Sequence, residues 1–177
     1  MISRLKTAAV ALALAATTAS AFAANADTAQ SRITAPEFSG IEKWHNSEPL
    51  SLSQLRGKVV LVDFWTYTCI NCINTLPYVK AWHQKYKDQG LVVVGVHTPE
   101  YPFERNVDNV KTAIRRFNIT YPVAQDNRYT TWNAYNNRYW PAFYLIDKTG
   151  QIVYSHFGEG KYEETEAKIK ALLAQKE

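Results

Sequence analysis

The chain contains little of what several protein classes require. Its 177 residues include two cysteines and four histidines, and no lysine or arginine run extends beyond the pair Arg115–Arg116. With no further cysteines and with scattered histidines, a zinc site would be short of ligands. The absence of a basic run removes any indication of a nucleic-acid-binding tail. A hydrophobic fraction of 46% is that of an ordinary globular domain.

Long apolar runs are also absent, but the N-terminus carries a short one. Arg4 and Lys6 precede an apolar stretch at residues 7–14, and an A-x-A cleavage pattern ends at Ala23. We therefore expect residues 1–23 to be a cleaved signal peptide, with an uncleaved anchor as the alternative. The apolar stretch is too short to span a bilayer as a permanent anchor. After cleavage, no stable membrane insertion of the remaining chain is expected.

Removal of the signal peptide leaves a nearly neutral chain. Two of the 20 basic residues lie in it, so 18 basic and 16 acidic residues remain, a net charge of +2. This charge gives no electrostatic case for a charged partner. Residues 24–35 are small and polar without periodicity, which predicts a flexible leader before a folded domain at 36–177.

Hydrophobic patterning predicts an α/β fold. Residues 59–65 are β-branched and aromatic, which is typical of a strand buried on both faces. Helical periodicity follows to about Gln89, with a kink expected at Pro77. The whole order is β-α-β-α-β-α-β-β-α, in which parallel crossovers precede an antiparallel hairpin and a helix. The further segments are strands at 91–96, 121–124, 142–146 and 151–157 and helices at 103–117, 129–137 and 162–175, while 36–56 forms either a hairpin or one strand.

The two cysteines form the motif Cys69-Ile70-Asn71-Cys72. A disulfide stabilises more when it closes a longer loop, so this short ring favours chemistry over a structural bridge. The motif follows a buried strand and begins a helix, whose unpaired N–H groups favour a thiolate. We therefore expect a lowered pKa for Cys69, the attacking sulfur, and a resolving role for Cys72. Half of a zinc site is the alternative, although further ligands are lacking.

Asp63 lies inside an apolar strand, six residues before Cys69. A buried acid costs free energy unless it has a partner or a role. Burial should raise the pKa of Asp63, which would let it take a proton from Cys72 near neutral pH. The alternative is that Asp63 ends the strand and faces water or a lysine.

This pattern resembles the thioredoxin family. Residues 62–65, then Cys69 and Cys72, then Pro77 match the buried acid, the dithiol and the helix-kinking proline of that family. The resemblance implies a thioredoxin-like fold with a central mixed sheet flanked by helices, here with an N-terminal extension. Ile70-Asn71 stands where thioredoxin has Gly-Pro, so the reduction potential does not carry over.

A second part of the resemblance lies near the C-terminus. Trp140-Pro141 precedes the predicted strand at 142–146, as the cis-proline of the family does. Pro141 is therefore implied to be a cis-proline that packs beside the dithiol. Trp65 and Trp140 are implied to lie next to it as substrate-binding or supporting residues. His97 and Glu100 follow a strand, and we expect them to shape a loop rather than to act in catalysis.

Four longer stretches are similar to the exported thioredoxin-like domain of DipZ-type proteins, within the redoxin and TlpA-like group. They are 64–72, 95–101, 137–141 and 157–160, and the resemblance covers about 36–175. It implies an exported thiol–disulfide oxidoreductase in the periplasm or another extracytoplasmic space, without a cofactor, acting on disulfide-bearing proteins. DipZ-type proteins carry a CcdA-like membrane domain that supplies electrons, which implies a reductive role. We expect a separate CcdA-like donor here, because the sequence shows no such domain.

Two alternative functions stay open at this point. Thr66-Tyr67-Thr68-Cys69 matches the T-x-x-C pattern of peroxiredoxin-type thiol peroxidases, but Val62 stands where that pattern has a proline. A non-enzymatic, Sco-like copper carrier is the other alternative. Sco-like proteins use C-x-x-x-C with a distant histidine, and the spacing here is one residue shorter. The dithiol itself is expected to hold no metal.

Overall fold

The computed structural model describes residues 33–175. The predicted signal peptide, residues 1–23, and most of the predicted leader, 24–32, lie outside the described residues. Between residues 33 and 175, no helix combines the length and the apolar character needed to cross a membrane.

The described residues form seven strands and four α-helices. The strands are β1 (Ile33–Thr34), β2 (Lys43–His45), β3 (Val59–Trp65), β4 (Leu91–His97), β5 (Val123–Gln125), β6 (Ala142–Ile146) and β7 (Gln151–Phe157). The helices are α1 (Ile70–Tyr86), α2 (Val107–Arg116), α3 (Thr130–Ala134) and α4 (Tyr162–Ala174), with 3₁₀ turns at Lys87–Gln89 and Pro102–Arg105. From β3 onward this order is the predicted one, so the α/β pattern is confirmed.

The strands form one mixed sheet in the order β1-β7-β6-β3-β4-β5-β2. β3 lies at its centre, parallel to β4 and antiparallel to β6. All seven residues of β3 are buried. One face packs on α1, where Trp65 and Leu76 share an apolar cluster, and the other packs on α3, where Phe64 meets Trp132. The centre of the sheet thus holds the end of β3, and the loop that leaves it, in place.

Residues 33–35 belong to the domain, so the predicted leader at 24–35 extends three residues too far. Ile33 and Thr34 pair with Ile152 and Gln151 of β7, and the Ala35 N–H donates to the Gly150 carbonyl at 3.0 Å. Because β7 lies far from β1 in the sequence, local periodicity does not predict this pairing.

The undecided segment 36–56 contributes one strand, β2, which pairs antiparallel with β5 at the far edge of the sheet. The predicted continuous helix at 103–117 is wrong at one point. Asn106 separates a 3₁₀ turn from α2, because its side chain accepts hydrogen bonds from the N–H groups of Asp108 and Asn109 and so caps a new helix.

Candidate active site

Cys69 is the N-terminal cap of α1, at the end of the loop that follows β3. Its backbone is extended (φ −71°, ψ 111°), and its Sγ accepts a hydrogen bond from the Cys72 N–H at 3.2 Å. The Cys72 thiol points at the same sulfur, with the two Sγ atoms 2.6 Å apart. Both cysteines are free; Cys69 is half-buried and Cys72 is buried. One sulfur is therefore accessible to a partner while the other lies behind it.

The two thiols differ in acidity. Hydrogen bonds from the Cys72 thiol, and then from the backbone N–H groups of Cys72 and Asn71, outweigh partial burial and lower the pKa of Cys69 to about 7. Burial, followed by the adjacent Cys69 sulfur, raises the pKa of Cys72 far above the ordinary thiol value. Near neutral pH the site therefore holds an accessible thiolate beside a buried thiol.

Asp63 is wholly buried in β3, opposite Gly95 of β4 and Phe143 of β6. Neither carboxylate oxygen has a hydrogen-bond partner among residues 33–175. Burial, and then the charge of Cys69, raises the pKa of Asp63 to about 8. By strand alternation Asp63 faces the same side as Trp65, which is the side of α1 and the dithiol. The structure thus brings this acid and the cysteines together within the core.

Trp65 lies wholly buried at the end of β3, in the apolar cluster that contains Cys72. It packs over Gly95: a Cβ atom there would lie 3.0 Å from Trp65 Nε1 and 3.1 Å from Tyr121 Cε2. A side chain with no exposed surface cannot touch a partner protein. Trp65 therefore belongs to the core next to Cys72 and not to the accessible surface of the site.

Trp140 and Pro141 form a turn on the other side of the site. The peptide bond between them is cis, as the resemblance implied. The Trp140 Nε1–H donates to the Thr98 carbonyl at 3.0 Å, and its half-buried ring packs against the cluster that contains Cys72. Pro77 lies inside α1 and is exposed. Pro77 belongs to the helix that Cys69 caps, and its side chain has no group that could hydrogen-bond to the dithiol.

His97 is the last residue of β4 and is wholly buried. Its Nε2 lies 3.2 Å from Thr66 Oγ1, and its ring stacks on that of Tyr67 with 5.6 Å between centroids. Burial lowers the pKa of His97 to about 4, so the ring is neutral at pH 7. Glu100 is exposed in the following loop. Between residues 33 and 175, no group of three or more His, Cys, Asp or Glu side chains is arranged to hold a metal ion.

Glu104 is a residue that the sequence reasoning missed. Its carboxylate is wholly buried and accepts hydrogen bonds from the residue before Cys69 and from the loop after β4. An acid two residues after Pro102, at the third position of a helical turn, matches a capping pattern and was the available signal.

Comparison with known proteins gives the family. The redoxin family model matches residues 30–173. Protein DipZ of Mycobacterium tuberculosis is 53% identical over 143 residues, which cover 79% of this chain and 21% of DipZ. Thiol-disulfide oxidoreductase YkuV of Bacillus subtilis is 32% identical over 142 residues, which cover 80% of this chain and 95% of YkuV. The chain therefore spans about a fifth of the length of DipZ but nearly all of YkuV.

A solved structure agrees with this assignment. The solution structure of a thioredoxin-like protein in the oxidized form has a TM-score of 0.74 and 33% identity, over 82% of this chain and 98% of the other. The predicted thioredoxin-like fold, a mixed sheet flanked by helices, is thus confirmed. The chain belongs to the redoxin family, has a thioredoxin-like fold and is similar to thiol–disulfide oxidoreductases.

Proposed function

We propose that the chain exchanges disulfides through Cys69 and Cys72 and that it reduces disulfides of extracytoplasmic proteins. The observation that carries this proposal is the position of the Cys69 sulfur. It is half-exposed at the N-terminus of α1 and accepts hydrogen bonds from Cys72. A sulfur in this environment is a thiolate near neutral pH and attacks disulfides.

The first step joins the chain to its target. The Cys69 thiolate attacks one sulfur of the target disulfide, which forms a mixed disulfide and breaks the target S–S bond. The other target sulfur leaves as a thiolate and takes a proton from water. Trp140 and Pro141 are proposed to flank the incoming polypeptide, whereas Trp65 supports the dithiol from the core.

The second step releases the target. Cys72 gives its proton to the Asp63 carboxylate, and its thiolate attacks Cys69 Sγ. The mixed disulfide breaks, and the second target sulfur leaves as a thiolate. The target has then gained two electrons, and the chain holds a Cys69–Cys72 disulfide. In the mixed disulfide Cys69 carries no charge, so one of the two causes that raise the pKa of Asp63 is absent, and the ionised form of Asp63 accepts the proton.

The direction of electron flow and the location rest on the sequence. We propose that residues 1–23 are a signal peptide cleaved near Ala24, that residues 24–32 form a leader, and that the chain works in the periplasm or another extracytoplasmic space. The DipZ-type resemblance supports a reductant, re-reduced by a separate CcdA-like membrane protein. Pro77 is proposed to shape the active-site helix.

Reduction of insulin disulfides by the reduced chain tests the proposal. Wild type should reduce insulin, Cys69→Ser should lose all activity, and Cys72→Ser should accumulate a mixed disulfide visible on a non-reducing gel. Ala171→Ser, an exposed change on α4, is the matched control and should retain activity. Rapid turnover of hydrogen peroxide without insulin reduction would instead indicate a peroxidase, and tight Cu(I) binding without exchange would indicate a copper carrier.

The reduction potential of the Cys69–Cys72 pair tests the direction. A value near that of thioredoxin, about −270 mV, supports a reductant, whereas about −120 mV indicates an oxidant. The mass of the chain recovered from the extracytoplasmic fraction tests export. A chain that starts near Ala24 supports the signal peptide, and recovery only from the cytosol contradicts it.

A further inference from the structure

Glu104 is a buried acid that the proposed reaction does not use. It has no exposed surface, and no lysine or arginine nitrogen within the described part of the chain lies within 4.0 Å of its carboxylate. A buried carboxylate without a cation is costly unless hydrogen bonds replace its hydration. The hydrogen bonds of Glu104 must therefore replace the hydration that its carboxylate loses on burial.

Both carboxylate oxygens of Glu104 are used. Oε1 accepts from the Thr68 N–H at 3.3 Å and from the Thr68 hydroxyl at 2.5 Å. Oε2 accepts from the N–H groups of Glu100 at 2.6 Å and Tyr101 at 2.9 Å. Burial alone would raise the pKa of Glu104, but these hydrogen bonds together lower it below the ordinary value. The group is therefore a carboxylate at neutral pH, and hydrogen bonds to an ionised acceptor are the stronger kind.

These bonds connect two loops that border the dithiol. Thr68 directly precedes Cys69, whose extended backbone places the sulfur at the start of α1. The other loop, at 98–101, is itself tied to the site, because the Thr98 N–H donates to the Trp65 carbonyl and the Thr98 carbonyl accepts from Trp140. One carboxylate thus connects the chain entering α1 with the loop that contacts Trp140.

We propose that Glu104 is a positioning residue of the dithiol site, whose ionised carboxylate holds Thr68 and so keeps the Cys69 sulfur at the N-terminus of α1. The inference rests on the proposed role of Cys69 as attacking thiolate. If Thr68 moves, the backbone of Cys69 rotates and its sulfur loses the hydrogen bonds from Cys72 that stabilise the thiolate. Glu104 therefore supports the thiolate through geometry, although it is itself an anion.

The direction in which the pKa of Cys69 changes distinguishes a positioning role of Glu104 from a direct electrostatic effect. Removing an anion near a thiolate lowers the pKa of the thiol when the effect acts through space. Glu100 is such a case, because its charge raises the pKa of Cys69 and its hydrogen bond to Glu104 comes from the backbone N–H, which the substitution keeps. The other ionisable neighbours of Cys69 are Cys72 and Asp63, and both are unchanged in this comparison.

The experiment titrates the thiolate of the reduced chain by its ultraviolet absorbance, together with the rate of alkylation by iodoacetamide. Glu104→Gln should raise the pKa of Cys69 by about one unit, which makes the thiolate about tenfold scarcer below pH 7. Its matched control, Glu100→Gln, should lower that pKa. A folded Glu104→Gln chain whose Cys69 pKa falls or stays unchanged would overturn the proposal.

A second variant covers the case in which Glu104→Gln does not fold. Thr68→Val keeps the shape of the side chain and removes the hydroxyl donor, so it should raise the Cys69 pKa by a smaller amount. An unchanged pKa in Thr68→Val also overturns the proposal. Because both titrations need no disulfide substrate, they can fail while insulin reduction succeeds, and the reverse also holds.

Discussion

Asp63 carries an electrostatic cost that no neighbouring group relieves among the described residues. It is wholly buried, both of its oxygens lack hydrogen-bond partners, and the Cys69 thiolate lies close enough to oppose its ionisation. The folded chain thus holds Asp63 as a neutral acid up to about pH 8, whereas an unfolded chain ionises it near pH 4. The stability of the fold must therefore depend on pH through this residue.

The sign of that dependence follows from linkage. Because the folded pKa lies above the unfolded value, the stability contributed by the neutral acid is fully present below about pH 4. It is lost as pH rises to about 8. We expect Asp63→Asn to abolish this loss, so that the variant exceeds the wild type in unfolding free energy by a few kcal/mol more at pH 8 than at pH 5. Urea unfolding of the reduced chains at both pH values measures the difference.

Asp88→Asn is the control for this measurement, since Asp88 is exposed after α1. It should follow the wild type at both pH values. Equal gaps between Asp63→Asn and the wild type at pH 5 and pH 8 would show that Asp63 ionises in the folded chain as it does in water. Slower release of the mixed disulfide in Asp63→Asn would separately support its role as a base.

Some residues of the site can be predicted from the sequence and others cannot. Asp63 could be found because an acid inside an apolar run is conspicuous, and Cys69 because its motif begins a helix after a buried strand. For Glu104 the sequence offers a helix-capping position but not its burial, which arises only when Thr68 and the loop at 98–101 converge on its carboxylate. Its burial results from tertiary packing, which local pattern does not encode.

Among the elements, β4 shows how closely the core is packed around the site. Gly95 has an extended backbone, but the indole of Trp65 and the ring of Tyr121 occupy the space above it. Both rings are wholly buried, so neither can move far. The absence of a side chain on β4 opposite Asp63 is thus what lets two large rings meet over the sheet.

Gly95→Ala should destabilise the fold for this reason. The added methyl group would lie 3.0 Å from Trp65 Nε1 and 3.1 Å from Tyr121 Cε2, and such overpacking costs about 1–3 kcal/mol. Chemical denaturation measures the loss, and near-ultraviolet circular dichroism should report a displaced indole. A variant with wild-type stability and an unchanged spectrum would show that the core accommodates the added methyl group, which would contradict the prediction.

β1 is the element that the sequence analysis placed in the leader. A chain that starts at Pro36 should be less stable than one that starts at Ile33 by about 1–3 kcal/mol, because it loses backbone hydrogen bonds of about 1 kcal/mol each. Urea unfolding of the two chains measures the difference, and amide exchange at Ile152 should become faster. Identical midpoints would show that β1 adds nothing to stability.

The strands that could be predicted from the sequence are those with long apolar runs. β3 is buried at all seven of its residues and β4 at six of seven, so their apolar composition alone predicts them. β1 and β2 contain two and three residues, and each pairs with a strand far along the chain. Such short strands are stabilised by their partners rather than by their own residues, and periodicity does not detect them.

At the scale of the whole molecule, the redox equilibrium should depend on pH through the Cys69 thiol. Below its pKa of about 7, reduction of the disulfide takes up two protons with two electrons, and above that pKa it takes up one. The potential should therefore fall by about 59 mV per pH unit below pH 7 and by about 30 mV above it. Glutathione redox titrations between pH 5 and pH 9 would reveal the change of slope, and a single slope throughout would contradict the lowered pKa.

The N-terminal segment of the domain supplies both edges of the sheet. β1 closes one edge against β7 and β2 closes the other against β5, although the two strands lie together within residues 33–45. Thr34 and its partner Gln151 are 117 positions apart. Contacts of such long sequence separation form late, because the loop between them must close first. A chain that emerges N-terminus first therefore exposes both edge strands before either partner is available. If it is exported as proposed and crosses the membrane unfolded, the sheet can be completed only after β7 has crossed.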